Sequence, residues 1–479
     1  MTKKRSEVLA GVKRQSMPKR IAIGIGAVLI GAVAYIYFAY GSVARGGSGY
    51  AAKNICSGYF LSGFSPEVMR TEALAGASSI LADVSYTIDD DAKEVTTRLF
   101  GLFERRAIYT PGIGCTVLPA GENDAAMPVS ALPTLTVPSE QPWPIGSAAP
   151  DLSNRFGALL DAAFAEEDPE RPRDTKAIVV IHDGKLIAEK YAEDVTSETP
   201  LIGWSMAKSV TGLMTGILVG DGALDIEAPA PVPQWQADEN DPRAEITLDQ
   251  LLRMSSGLKF EETYSAATDV TQMLSNEPDA AAFAASMPLA GPPDTIWSYS
   301  SGTTNIISAV IRRSVGDTLQ DYYTFSQERL FRPLGIRTAV LEADRSGNFI
   351  GSSYMYASAR DWARLGQFCL QNGAWNGEQI VPDGWIDYLT TPTSTADSNI
   401  YGAQVWLNRN PDDPDRERAF PGLPEDMYYM SGFQGQVVMV VPSENLVITR
   451  FGFTPGRNHG VEELAAGIIA ELNGEGDSL

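Results

Sequence analysis

Ser205-Met206-Ala207-Lys208 places a hydroxyl and an amine three residues apart, which on a helix puts them on one face, one turn apart. A lysine held there can help to activate a serine for covalent attack on a carbonyl. Histidine offers little alternative, since only His182 and His459 occur in 479 residues. The same S-x-x-K spacing recurs at Ser16–Lys19 and Ser256–Lys259, so the surroundings must choose among the three. Ser16 lies in a basic stretch, and Ser256 is followed by a turn-forming Gly257. After Ser205, by contrast, Met206, Val210, Leu213, Met214, Ile217 and Leu218 recur at intervals that predict an amphipathic helix. Ser205 then falls in the first turn, where its backbone N–H has no partner within the helix and can face a developing oxyanion. The competing reading makes Ser205 an N-terminal cap and Lys208 a solvated side chain.

A second base candidate, Tyr299, stands in Trp297-Ser298-Tyr299-Ser300-Ser301, between a turn-rich Gly-Pro-Pro-Asp stretch and another apolar helical segment. A phenol titrates near pH 10, and a neighbouring ammonium favours phenolate or a strong hydrogen bond, so Tyr299 and Lys208 are expected to share the proton leaving Ser205. Packing is the alternative role for this tyrosine. No H-E-x-x-H motif occurs, and Asp412-Asp413-Pro414-Asp415 lacks the glycine and glutamate of a calcium loop, so no metal is expected.

These residues make the chain resemble the serine β-lactamase and penicillin-binding-protein-like hydrolases, in the branch of class C β-lactamases, esterases and 6-aminohexanoate-dimer hydrolases. The likeness spans about residues 150–472. Ser205–Lys208 matches the nucleophile motif, and Tyr299-Ser300-Ser301 looks like the Y-x-N element with Ser301 replacing Asn. Leu251–Leu258, Arg332–Ile336 and Ser358–Arg364 are similar to three further segments. The third motif, K-T-G or H-T-G in the family, stands here as Met430-Ser431-Gly432, without its cation. The resemblance implies a β-lactamase-like α/β (α+β) fold, with a mixed, mainly antiparallel sheet flanked by helices.

It also implies an acyl-enzyme mechanism without cofactor. Ser205 attacks a small ester or linear amide, Lys208 and Tyr299 handle the proton, and the N–H groups of Ser205 and Phe433 form the oxyanion hole beside Gly432. Loss of the cation weakens the case for β-lactams and D-Ala-D-Ala peptides, which remain the alternative substrates; a degenerate binding protein of the cell envelope is a third reading. Trp204, Trp297 and Phe433 flank the motifs and either line an apolar pocket or pack in the core.

The elements that must position these groups are partly readable. Ala177–Ile181 and Leu186–Tyr191 flank His182-Asp183-Gly184-Lys185, a hairpin signal that places His182 at a turn. Gln436–Val441 and Leu446–Phe451 read as two more strands, followed by a helix to Leu472, so strands from both ends are expected in one sheet. The chain divides into a basic segment (1–20), a charge-free run (21–40), an extension of unreadable role (41–118), a proline-rich linker (119–150) and the hydrolase domain (151–472). Residues 21–40 are long enough to span a bilayer, and the seven Lys/Arg before them predict a cytoplasmic N-terminus. A single-pass inner-membrane protein with a periplasmic catalytic domain follows; cleavage at Ser42-Val43-Ala44 is the alternative.

Residues 46–479 carry 29 basic against 59 acidic groups, which argues against nucleic acid as a partner. Of three cysteines, Cys56 and Cys115 are the expected disulfide, while Cys369 in an apolar helical stretch reads as a buried thiol. Oligomeric state is not readable.

Overall fold

The computed structural model describes residues 41–122 and 143–474, apart from 147, 149–151, 153, 169–170, 266, 397–398, 410–416 and 457–458. The predicted membrane span 21–40 and basic segment 1–20, and most of the linker, lie outside these residues. No helix among the described residues is long and apolar enough to cross a membrane.

Six strands form the central sheet, in the order Trp406–Leu407, Tyr428–Gly432, Gln436–Val441, Leu446–Gly452, Thr175–His182 and Lys185–Tyr191. The N-terminal hairpin therefore pairs with the C-terminal one, with Leu446 opposite His182 and Ile448 opposite Val180. His182 ends its strand, and Asp183 (φ 51°) and Gly184 (φ 70°) make the tight turn. Every strand pair among the described residues is antiparallel, so the expected mixed character is absent. Consecutive hairpins and the joining of the chain's two ends need no parallel crossover.

Both faces of the sheet are covered, and the period-2 alternation of strand Thr175–His182 shows how. Ile178 and Val180 pack with the terminal helix Val461–Leu472 and the helix Gly157–Phe164, while Ala177, Val179 and Ile181 join the larger core on the opposite face. On that face lies the helix Ala359–Leu370, with Cys369 buried as an unpaired thiol. Arg364 of this helix donates to the carbonyls of Pro144 (2.7 Å) and Gly146 (2.6 Å), which fixes the end of the proline-rich linker.

The nucleophile helix, Ala207–Gly220, is buried nearly all round rather than amphipathic. Its hydroxyls make this possible by bonding to carbonyls: Ser209 to Gln404 O (2.7 Å), Thr211 to Gly351 O (3.0 Å) and Thr215 to Thr211 O (2.8 Å). Small polar residues thus occupy what the sequence pattern assigns to a solvent face.

The extension forms a helix over residues 41–57 and a four-stranded antiparallel sheet, Ser85–Asp89, Glu94–Leu99, Phe103–Thr110 and Gly114–Val117. Its apolar residues, among them Ile55, Leu74 and Val95, belong to the same core as the nucleophile helix. Cys56 and Cys115 form the expected disulfide and tie helix to sheet. Lys53 is buried in an ion pair with Glu342, whose carboxylate also accepts from Ser57 Oγ (2.8 Å) and Cys115 N (2.6 Å). The segment whose role is unreadable from its residues is therefore pinned to the main body by covalent, ionic and apolar contacts.

Candidate active site

A short 3-10 turn, Trp204–Met206, leads into the nucleophile helix and presents Ser205, half-buried, at its start. Trp204 has φ 47°, a left-handed conformation unusual for a bulky residue. Its ring is held by Tyr50 (5.9 Å, stacked), Tyr354 (5.7 Å) and Phe433 (5.7 Å, edge-on). Of the two readings for Trp204, core packing holds.

Lys208 is buried, and its ammonium has three acceptors: Ser205 Oγ at 3.1 Å, Ser301 Oγ at 2.9 Å and the Ser352 carbonyl at 3.1 Å. Burial lowers its pKa to about 8, against a smaller upward pull from the Glu262 carboxylate. A solvated lysine is thus excluded. A substantial neutral fraction is present near pH 8, and the amine lies within reach of the serine proton.

Ser301 opens the helix Ser301–Val315, capped by Ser300 through Thr303 N (3.1 Å). Glu262 accepts from Ser301 N (2.7 Å) and from Ser301 Oγ (2.5 Å), so Lys208, Ser301 and Glu262 form a continuous chain. Burial raises the Glu262 pKa, while Lys208 and the Ser301 bonds oppose the rise. The motifs did not reveal this carboxylate: Glu261-Glu262 sits in an irregular loop, and paired acids there read as solvated.

Tyr299 stands over Lys208, with the ammonium 4.7 Å from its ring centroid. Of the two expected forms, phenolate or a hydrogen-bonded phenol, the second is found. Burial and the nearby Glu262 charge push the phenol well above its usual range, more than hydrogen bonding from Ser205 and Trp406 lowers it. Tyr299 is a protonated hydroxyl beside Ser205. It packs with Trp406 (5.1 Å) and Tyr401 (5.7 Å), and Trp297 joins the same cluster at 5.5 Å from Tyr401.

The strand Tyr428–Gly432 completes the site, with Met430 buried. A Cβ on Gly432 would lie 2.1 Å from the Gly203 carbonyl oxygen, so only glycine lets this strand end meet the turn that carries Ser205. Gly203 in turn lies under Trp362, 2.2 Å from where its own Cβ would fall. These contacts draw the segment ending at Phe433 against the Ser205 turn. Ser205, Lys208, Tyr299, Ser301, Gly432 and Phe433, spread over 229 positions of sequence, are thereby gathered in one place.

A beta-lactamase family profile matches residues 160–470, about two-thirds of the chain. The chain belongs to the beta-lactamase family. It is a serine hydrolase of that family. The 6-aminohexanoate-dimer hydrolase of Paenarthrobacter ureafaciens is 23% identical over 407 residues, covering 74% of this chain and 97% of that protein. Among solved structures, a candidate 6-aminohexanoate-dimer hydrolase from Bacillus anthracis aligns with TM-score 0.53 and 22% identity, over 66% of this chain and 82% of its own. A family VIII carboxylesterase aligns with TM-score 0.50 and 15% identity, over 66% and 97%. These two structures share the beta-lactamase-like fold.

Proposed function

We propose that Ser205 is the nucleophile of an esterase or amidase acting on small esters or linear amides through an acyl-enzyme. The observation that carries this reading is the 3.1 Å contact of Lys208 Nζ with Ser205 Oγ, made by a lysine whose pKa lies near 8. Neutral Lys208 takes the Ser205 proton as Oγ bonds to the carbonyl carbon. The N–H groups of Ser205 and Phe433 receive the oxyanion. Collapse breaks the bond to the alcohol or amine, which leaves with a proton supplied through Lys208 and the protonated Tyr299 hydroxyl. Water then adds to the acyl-enzyme and restores Ser205. Because Met430 fills the place of the motif's cation, a substrate carboxylate has no charged partner there, and a neutral ester or amide fits better.

The site is placed outside the cytoplasm, on a single-pass inner-membrane anchor. Support comes from the charge-free run 21–40 behind seven basic residues and from the Cys56–Cys115 disulfide, which oxidising compartments favour. Alkaline phosphatase fused after residue 479 reports this orientation by its activity; an inactive fusion rejects it.

Hydrolysis of p-nitrophenyl acetate and butyrate by the full-length protein and by Ser205→Ala tests the nucleophile. Loss of turnover to background in the variant, with an acyl adduct on the wild-type chain by intact mass, is expected. Equal rates in both proteins reject Ser205.

A further inference from the structure

Between helix 41–57 and the hydrolase body lies an open cleft of about 610 Å³, the size of a small-molecule site. The extension supplies one wall, including Tyr50, Leu81 and Leu99; Tyr264 and Phe433 stand opposite. None of the described residues lining it is charged, although residues 46–479 contain 88 charged groups. At its edge Ile80 and Phe100 are 55% and 67% exposed. Phe100 and Gly101 form the turn between two strands with φ 55° and 69°. That left-handed conformation is disfavoured for an aromatic residue, whereas asparagine or glycine adopts it more readily. Neither the strained backbone nor the exposed ring helps this small sheet to fold, so both point to a ligand.

Phe433 connects the cleft to the chemistry. Its ring stacks on Tyr264 at 5.2 Å and meets Trp204, the neighbour of Ser205, at 5.7 Å. On its other side is a second hollow, of about 410 Å³, bordered by Trp406, Ser431, Gly432 and Glu463. Phe433 therefore stands at the junction of an uncharged apolar cleft and a more polar one, one ring contact from the turn that carries Ser205. The Tyr264 hydroxyl is buried without a partner among the described residues, a free donor at that junction.

We infer that the cleft holds the aliphatic chain of the substrate, and that the extension makes this hydrolase selective for esters or amides bearing a long alkyl group. This selectivity rests on Ser205 as nucleophile, whereas occupancy of the cleft by an alkyl chain does not. Ser78 lines the cleft, is exposed and has an extended backbone (φ −162°), so Ser78→Trp fills the space without disturbing the core. With full-length protein in lipid nanodiscs, kcat/KM is measured for two ester series, p-nitrophenyl acetate to octanoate and ethyl to octyl acetate. A preference of about 10-fold or more for the eight-carbon chain in at least one series is expected. In Ser78→Trp that preference is lost while the rate on the shortest ester is retained; identical chain-length profiles in the two proteins overturn the inference.

Should the wild type hydrolyse no ester, the nucleophile assignment fails and photolabelling decides the cleft separately. Palmitate carrying a diazirine is crosslinked to wild type and Ser205→Ala, and the modified peptides are mapped by mass spectrometry. Label on 43–50, 77–81 or 264–275 that Ser78→Trp removes upholds alkyl binding. Label confined elsewhere, or unchanged in Ser78→Trp, overturns it.

Discussion

The side chain of Gln434 donates a 2.9 Å hydrogen bond to the carbonyl of Ala73, joining the loop after Gly432 to the N-terminal extension. Gln434 is buried and left-handed at φ 61°, so the peptide next to Phe433 is held in a conformation its own sequence disfavours. The extension thus sets the position of the Phe433 N–H. Gln434→Ala removes this bond, at about 1 kcal/mol. The expected outcome is a roughly tenfold fall in kcat on p-nitrophenyl butyrate with KM little changed, because the oxyanion forms only in the transition state. An unaltered kcat in a folded variant would show that the loop is positioned without Ala73.

Lys208 sets the pH dependence. Its pKa near 8 means that the neutral amine grows as pH rises through 8, so kcat/KM should rise along an acid limb centred near that value. Glu262 pulls the Lys208 pKa upward, and Glu262→Gln removes that charge. The acid limb should then move to lower pH, the sign expected for losing an opposite charge. A limb that stays in place, or moves upward, contradicts the role assigned to Glu262; a pH–rate profile of both proteins decides.

What the residues disclosed was local. The Asp183-Gly184 turn and the apolar runs on either side of it specify a hairpin, and the Ser205–Lys208 spacing specifies a shared face. The apolar run before the turn says that Thr175–His182 is a strand but not that its partner is Leu446–Gly452, because that choice depends on how both ends of the chain cover one sheet. Glu262 was hidden for a related reason: only the tertiary approach of its loop to Ser301 distinguishes it from a surface acid. The nucleophile helix misled in the opposite direction, since Ser209, Thr211 and Thr215 read as solvent-facing and are instead buried on carbonyls. Tyr299 shows that a motif does not set a pKa: burial and the Glu262 charge outweigh the hydrogen bonds from Ser205 and Trp406.

Lys53 and Glu342 are both fully buried, and the ammonium also lies 4.3 Å from the centre of the Tyr354 ring. Burial lowers the Lys53 pKa well below its usual value. Removing one partner strands the other charge, so Glu342→Gln should cost about 3–5 kcal/mol of stability, seen as a lower denaturation midpoint. Replacing the pair together, Lys53→Met with Glu342→Leu, removes both desolvated charges and should recover much of that loss. If the double variant is as unstable as the sum of the single ones, the two residues act separately and the pin between extension and body lies elsewhere.

The Cys56–Cys115 bridge closes a loop of 59 positions within the extension. In the chain-entropy account, cross-linking a loop of that length stabilises by about 4 kcal/mol, mainly by restricting the unfolded chain. Cys115 also donates its backbone N–H to Glu342, so the bridge fixes one of the groups that satisfy the buried carboxylate. The double variant Cys56→Ala/Cys115→Ala should therefore unfold at lower denaturant, and the Glu342→Gln penalty measured in it should differ from that in the wild type by about 0.5 kcal/mol or more. Hydrolysis of the shortest esters should persist at a reduced rate in the variant, since Ser205, Lys208 and Tyr299 lie outside the extension but the Gln434–Ala73 bond does not, while selectivity for long chains should weaken as the wall of the cleft loosens. Additive stability losses, with chain-length selectivity intact, would show that apolar packing alone holds the extension over the active site.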